Sequence, residues 1–116
     1  MARLGCVYAG DGAYGGKRYL TRESLTLLNT LQFSDPAAEP PVFRGLGSML
    51  VGEVLDGRLL VGHQGNAYGM LSCLFYDPAT HCGVAFITNG CGSGQDGEGL
   101  YNINADVIRV LWQYLA

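Results

Sequence analysis

The middle of the chain constrains the fold more than any other part, because its apolar residues come in short runs separated by turn residues. Residues 43–54 and 58–64 are the first two runs, and Asp56-Gly57 stands between them. An Asp-Gly pair between apolar runs is a strong signal for a β-hairpin. The sequence therefore predicts two paired antiparallel strands here.

Two further strands are predicted after a glycine-rich stretch, residues 62–69, that interrupts the pattern. The third strand covers residues 70–76 and the fourth covers residues 82–88, with a turn at 77–80 between them. The fourth run is almost continuously apolar, which is typical of a strand buried on both faces in the middle of a sheet. A polar, glycine-rich loop follows over residues 89–99.

Helices are predicted before and after these strands. Residues 1–9 have apolar side chains at helical spacing, and Thr21 is a good N-cap for a second helix over residues 22–32. In residues 100–115, apolar residues recur every four positions, so one face of a third helix can pack on the sheet. The order of elements predicts an α+β fold. We expect a single domain over residues 1–116, with an antiparallel sheet of about four strands against the C-terminal helix.

Composition and charge exclude several classes of protein. Apolar residues make up 48% of the chain and charged residues 15%, a balance typical of a globular protein rather than a disordered one. The 7 lysines and arginines are scattered and the net charge is −3, so no nucleic-acid-binding patch is expected. The longest apolar run is far shorter than the roughly 20 residues of a membrane span. Residues 1–10 contain no signal-peptide pattern, and the compartment stays unknown.

The chain has four cysteines, Cys6, Cys73, Cys82 and Cys91. They form no C-x-x-C motif, and neither histidine stands at a zinc-finger spacing from them, so no metal and no cofactor are expected. Reduced thiols in or near the core are the predicted state, with a disulfide as the alternative.

Taken residue by residue, the chain offers few candidates for catalysis. His63 lies at the end of a predicted strand beside glycines, where a side chain can face either a cleft or solvent. Ser48 and Ser72 lack the context of an activated nucleophile, since the chain contains neither G-x-S-x-G nor S-x-x-K. The loop over residues 91–97 lacks the Lys-Ser/Thr of a phosphate-binding loop and is interpreted as a flexible connection.

A series of motifs in a particular order adds a more specific hypothesis. In chain order they are Gly45-Leu46-Gly47, Asp56-Gly57, Val61-Gly62-His63-Gln64-Gly65-Asn66-Ala67-Tyr68-Gly69, Tyr76-Asp77-Pro78 and Ile87-Thr88-Asn89-Gly90. This series resembles the C-terminal region of the class C β-lactamase-related serine hydrolases, which include penicillin-binding D,D-peptidases and esterases. In that family a strand ending in Lys-Thr-Gly or His-x-Gly carries the third active-site motif, and a final amphipathic helix closes the sheet. The resemblance covers almost the whole chain.

The resemblance implies a role for each residue of the third motif. His63 is the motif side chain that supplies charge or a hydrogen bond, and Gln64 takes the place of a threonine that often contacts substrate. Gly65 lets a substrate approach the strand edge closely. The backbone N–H of Asn66 is one half of the oxyanion hole. The implied substrates are β-lactams, peptides ending in D-Ala-D-Ala, or esters.

The family's nucleophile lies in a Ser-x-x-Lys motif and its proton-transfer partner in a Tyr-x-Asn-type motif. Both would precede residue 1, so we expect an inactive C-terminal portion of a bacterial hydrolase, whose full-length relatives are often exported. A stand-alone, non-catalytic binding or structural domain is the second hypothesis. An enzyme in which Cys73 or Ser72 works with His63 is the third.

The resemblance also predicts self-association. In the family an N-terminal hairpin pairs with the last strand of this region. Without that hairpin, residues 83–88 would be an unpaired apolar edge, and such an edge invites pairing with another chain. We therefore expect a homo-oligomer formed through this edge or through the exposed face of the cleft.

Overall fold

The structure is a computed structural model that describes residues 1–90 and 92–115. Three helices and two antiparallel sheets make up these residues. In chain order the elements are α1 (Ala2–Ala9), β1 (Ala13–Tyr14), β2 (Lys17–Arg18), α2 (Arg22–Asn29), β3 (Phe33–Asp35), β4 (Val42–Arg44), β5 (Met49–Val51), β6 (Leu60–Ala67), β7 (Met70–Asp77), β8 (Cys82–Asn89) and α3 (Asn102–Trp112).

The larger sheet is a six-stranded meander in the order β3-β4-β5-β6-β7-β8, in which each strand is antiparallel to the next. The strands β1 and β2 form a separate hairpin. The predicted α+β class and antiparallel pairing are confirmed, whereas the sheet has 6 strands rather than about four. The predicted cap of the second helix is also confirmed, since the Thr21 hydroxyl accepts a 3.1 Å hydrogen bond from the Ser24 N–H.

The predicted strand over residues 43–54 is wrong in extent, because a turn divides it into β4 and β5. Gly47 in this turn has a φ of 75°, which glycine adopts readily. Gly45 lies so close to the backbone carbonyl of Leu28 that any Cβ would collide with it. The chain therefore turns against the end of α2, a long-range contact that alternation of apolar residues does not reveal.

The tight hairpin lies elsewhere than predicted. Asp56-Gly57 is part of a longer connection, residues 52–59, between β5 and β6. The two-residue turn is Tyr68-Gly69, which joins β6 to β7 with φ values of 53° and 78°. Positive φ at both positions is typical of the turn that best suits a two-residue hairpin. The glycine-rich stretch therefore does not interrupt the strand, because β6 continues through it.

The fourth predicted strand, observed as β8, is an edge strand of the sheet and not a central one. Val84 is buried, while Ala85 and Ile87 are exposed, so its side chains alternate between a covered face and an open one. The continuous apolar run was a misleading signal, because apolar residues at a sheet edge can remain exposed without disturbing the pairing.

The main core lies between the larger sheet and α3. Leu60 and Phe75 from the sheet meet Leu100 and Ile108 from the α3 region, and all four are fully buried. The opposite face of the sheet is covered only in part, by α1 and a smaller cluster in which the rings of Tyr8 and Tyr76 stack at 5.7 Å. The part of that face around His63 is left open.

The turn between β7 and β8 is held by one buried carboxylate. Asp77 accepts hydrogen bonds from the Ala79 N–H (2.8 Å) and the Thr80 hydroxyl (2.9 Å), and it forms an ion pair with Arg58 (2.8 Å). Burial on its own raises the pKa of Asp77. The N–H of Ala79, the Thr80 hydroxyl and the Arg58 guanidinium together outweigh burial and hold that pKa below its ordinary value.

Replacing this carboxylate tests its contribution. Asp77→Asn is expected to lower the free energy of unfolding by about 1–3 kcal/mol, because it removes the ion pair and leaves buried donors poorly matched. Arg58 is part-exposed and its charge is screened by water. The loss in the free energy of unfolding should therefore be smaller than for a fully buried ion pair. Asp56→Asn makes the same chemical change at an exposed position and should leave stability unchanged. Urea unfolding measures both variants.

The same carboxylate gives a pH dependence. Because its pKa is lower in the folded chain than in the unfolded chain, its contribution is present above the ordinary carboxyl range and is lost as the pH falls through the folded value. The natural chain should therefore lose stability below about pH 4 more steeply than Asp77→Asn. Equal slopes for the two proteins would contradict this assignment.

A second stability test concerns the close approach of β6 and β7 at Gly62. A Cβ at Gly62 would collide with the carbonyl oxygen of Leu74 and lie 2.8 Å from the Cα of Phe75. Gly62→Ala should lower the free energy of unfolding by about 1–3 kcal/mol or more. Gly97→Ala is the control, since no atom lies within 4 Å of its added Cβ, and it should change stability by less than about 0.5 kcal/mol.

Candidate functional site

The three residues that resemble the third motif, His63-Gln64-Gly65, and the following Asn66 lie in the half of β6 that extends beyond its neighbour β5. The pairing of β5 with β6 ends at Met49 opposite Gly62, while β7 pairs with β6 as far as Ala67. Residues 63–67 therefore have a strand on one side only. The backbone edge on the other side is open to a ligand.

The hairpin turn decides which backbone groups point to that open edge. Ala67 and Met70 flank the two-residue turn and so form the hydrogen-bonded pair that closes it. Hydrogen-bonded and non-hydrogen-bonded pairs alternate along antiparallel strands. Asn66, opposite Leu71, is the next pair, so its N–H points away from β7 and towards the open edge.

Side chains along β6 alternate between the two faces of the sheet. His63 and the Cα of Gly65 lie on the face that α1 covers in part, and His63 is exposed. Gln64 and Asn66 direct their side chains to the α3 face, where both contact Tyr101. The structure thus brings these four candidate residues to one strand edge, but it places the side chain of His63 on one face of the sheet and those of Gln64 and Asn66 on the other.

The surroundings of His63 disfavour a positive charge on its imidazole, although the resemblance implies that this side chain supplies charge or a hydrogen bond. Although the side chain is exposed in part, desolvation by the surrounding protein lowers its pKa, and the positive guanidinium of Arg44 lowers it further. The imidazole is therefore neutral at neutral pH, where it can donate or accept a hydrogen bond but supplies no positive charge.

The amide of Gln64 is fully engaged within the protein. Its Nε2 donates to the carbonyl of Gly99 at 2.5 Å, and its Oε1 accepts from the N–H of Tyr101 at 2.9 Å and from Nδ2 of Asn104 at 3.4 Å. The side chain therefore ties β6 to the start of α3. To bind a substrate as the resemblance implies, Gln64 would have to release these partners.

Gly65 is required by the neighbouring strand as well as by the open edge. A Cβ at this position would lie 2.7 Å from Oγ of Ser72. The side chain of Asn66 donates from Nδ2 to the Tyr101 hydroxyl at 2.8 Å, which leaves its backbone N–H as the group available at the edge.

A cleft of about 500 Å³ lies against the α3 side of this open edge. Gln64 and Asn66 form one wall, Tyr101 and Glu98 form another, and Arg44 contributes a positive charge. The Glu98 carboxylate accepts from the N–H groups of Gly52 (2.6 Å) and Glu53 (2.9 Å), so the loop before α3 is held in place.

Sequence reasoning missed Arg44, Glu98 and Tyr101, because nothing in their local sequence marks them. They reach the cleft only through the pairing of β4 with β5 and through the Gln64 contacts with the start of α3.

The alternative nucleophiles are poorly placed. Burial raises the pKa of the Cys73 thiol to about 12, so the reactive thiolate is scarce, and this side chain lies in the α3 core, across the sheet from His63. Ser72 shares the face of His63, but no hydrogen bond joins the two side chains in the described part of the chain. Cys6, Cys73 and Cys82 are free thiols. Of these only Cys73 is buried, and Cys6 is exposed rather than in or near the core as expected. Cys91 lies outside the described residues.

Within residues 1–90 and 92–115, no group of three or more His, Cys, Asp or Glu side chains is arranged to hold a metal ion. None of the helices in these ranges has the length and apolar character needed to cross a membrane. Comparison of the chain with protein-family models, with curated proteins and with solved structures finds no match.

The electrostatic assignment of His63 can be checked by NMR titration of its imidazole. Arg44→Gln removes the positive charge and should raise the pKa of His63, although burial will keep it below the ordinary value of 6.5. Arg3→Gln, on the exposed surface of α1, removes an equal charge elsewhere and should leave the titration unchanged. An unchanged pKa of His63 in Arg44→Gln would show that the charge of Arg44 does not influence this imidazole.

Proposed function

We propose that this chain is the C-terminal portion of a β-lactamase, D,D-peptidase or esterase-type serine hydrolase, in which it forms one wall of the active-site cleft. The observation that carries the proposal is the open half of β6. There the N–H of Asn66 points to a free strand edge, three residues along β6 from His63 and directly after Gly65. The order of motifs along the chain, which resembles that of the serine hydrolases, supports acyl transfer as the reaction type.

The chemistry requires a donor at this point. When a nucleophile adds to an ester or amide carbonyl, the carbonyl oxygen becomes an anion, and a fixed N–H donor stabilises it. A single donor of this kind is worth about 3 kcal/mol of the reaction barrier. The N–H of Asn66 is held by a paired strand, so it needs no reorganisation as the charge develops.

The surrounding residues suit a small acyl substrate. The absence of a side chain at Gly65 allows close approach to the strand. The Arg44 guanidinium in the adjoining cleft can attract the carboxylate that β-lactams and peptides ending in D-Ala-D-Ala carry. A neutral His63 provides a hydrogen-bonding group to a proton-transfer network instead of a charge. In this proposal Gln64 serves mainly to position the start of α3.

The chain by itself should not catalyse acyl transfer. It contains no Ser-x-x-Lys motif, and a donor without a nucleophile has no developing anion to stabilise. The nucleophile must therefore come from another part of the same protein or from another chain. Incubation with a fluorescent penicillin should leave the 116-residue chain unlabelled. Stoichiometric covalent labelling would overturn the claim that it is inert alone.

Binding to the open edge is tested by NMR with benzylpenicillin. We expect weak binding that shifts the amide signals of residues 63–67. Asn66→Pro removes the N–H, which points away from β7, so the sheet keeps its pairing but the shifts should be lost. Asn66→Ala removes the contact with Tyr101 and keeps the N–H, so the shifts should persist.

Two outcomes of this experiment would contradict the proposal. One is the absence of any shift at residues 63–67 in the natural chain. The other is equal binding by Asn66→Pro and Asn66→Ala, which would show that the ligand does not use the backbone donor. A circular dichroism spectrum of each variant confirms that the sheet is intact.

The second candidate function is a stand-alone, non-catalytic domain. It is favoured by the closed core between the sheet and α3, which requires no other segment to bury Leu60, Phe75 and Ile108. The two candidates differ in the coding sequence upstream of Met1. An open frame that encodes Ser-x-x-Lys supports the hydrolase portion, and a frame closed directly before Met1 supports the stand-alone domain.

A further inference from the structure

One edge of the larger sheet is long, regular and unprotected. The strand β8 pairs with β7 over Cys82–Asn89 without a bulge, and in the described part of the chain it has no partner on its other side. Charged residues, prolines and bulges are the usual protections of an exposed edge. The sequence of β8 contains none of them.

The outward backbone groups of β8 can be assigned. The N–H of Gly90 donates to the carbonyl of Gly69 at 3.0 Å, which makes this pair hydrogen-bonded towards β7. Alternation along the ladder then points the N–H and carbonyl groups of every second β8 residue outward. These residues are Gly83, Ala85, Ile87 and Asn89.

The opposite edge of the same sheet provides a contrast. The strand β3 covers only Phe33–Asp35, ends in a charged residue and is followed by Pro36. A short strand with a charge and a following proline is a poor template for another strand. The sheet therefore has one protected edge and one unprotected edge.

A stripe of exposed and half-buried apolar side chains on α3 and just after it runs along the same side of the molecule as the free edge of β8. Arg109 donates from Nε to the carbonyl of Val54, just after β5, so that flank of α3 faces the β5 side. The exposed Leu111 and the half-buried Val107, one helical turn before it, lie on the opposite flank, towards β8, and the exposed Tyr114 follows just after the end of α3. The thiol of Cys82 contacts the carbonyl of Leu115 at 3.7 Å, which places the end of α3 beside the start of β8.

We propose that a second copy of this chain binds at β8, antiparallel to the first, so that the two sheets become continuous. A two-fold axis perpendicular to the sheet keeps α3 of both copies on the same face. The stripes of Val107, Leu111 and Tyr114 then face each other across the axis. An uncharged strand edge and an apolar helix flank can each pair with a copy of itself. The same two-fold axis brings the two edges together and the two flanks together.

This arrangement favours a second copy over an unrelated strand. An unrelated extended peptide would satisfy the backbone of β8 but would leave the α3 stripe exposed, with Tyr114 at 80% and Leu111 at 40%. A second copy supplies a strand and a helix flank together. The inference concerns the 116-residue chain and rests on the sheet edge and on α3. In the proposed hydrolase an N-terminal hairpin would compete with the second copy for β8, so a dimer of this chain does not itself test the hydrolase function.

Light scattering coupled to size-exclusion chromatography tests the proposal. The natural chain should show twice its 12.4 kDa mass at high concentration and dissociate on dilution. Ile87→Lys should be monomeric, because a lysine on an edge strand protects that edge from pairing, and the side chain at this position is 54% exposed in the single chain. Phe33→Lys is the matched control on the protected edge, with 59% exposure, and should remain a dimer.

Two further measurements keep the proposal open to refutation if Ile87→Lys folds poorly. Tyr114→Lys, at the exposed end of α3, should weaken dimerisation at least tenfold. The amides of Ala85 and Ile87 should exchange with solvent slowly at high concentration and rapidly on dilution. A natural chain that stays monomeric throughout, or a Phe33→Lys variant that dissociates as readily as Ile87→Lys, would overturn the proposal.

Discussion

The register of β6 against β7 is the constraint on which the rest of the structure depends. It is set by the two-residue turn Tyr68-Gly69, whose positive φ values match the twist of the strands on either side. A slip of one residue would move every side chain to the other face of the sheet. Leu60 and Phe75 would then leave the core, and the N–H of Asn66 would turn towards β7 instead of the open edge. The core and the candidate site therefore depend on the same pairing.

The amide of Gln64 links this register to the rest of the fold. It joins β6 to Gly99, Tyr101 and Asn104, and so holds the start of α3 over the sheet. The Glu98 carboxylate fastens the same loop to the N–H groups after β5. Polar groups thus position the walls of the cleft, while apolar packing at Phe75 and Ile108 holds the layers together. This division explains why a residue expected to bind substrate is occupied in maintaining the site.

Local signals in the sequence predicted elements well where the cause of the element is itself local. Thr21 caps α2 through a neighbour three residues away. The apolar repeat predicted the α3 helix but not its buried face, which consists of Asn104, Ala105 and Ile108, while Leu111 of the repeat is 40% exposed. The predictions failed where a distant contact decides the outcome. The turn at Gly45 exists because the end of α2 lies against it, and β8 is an edge strand because no described strand follows it in the sheet.

By itself, the sequence determined the α+β class, the antiparallel pairing and the place of His63 on a strand, because periodicity, capping and turn residues act over a few positions. Only the tertiary structure decided how that strand is presented. Pairing between distant segments ends the β5–β6 ladder at Met49 opposite Gly62, which leaves the rest of β6 with an open edge, and it brings Arg44 and Tyr101 to the cleft. It also left β8 and the α3 stripe on one open side. These features depend on which strands pair in the sheet and in what register. Neither can be predicted from the local sequence of one strand.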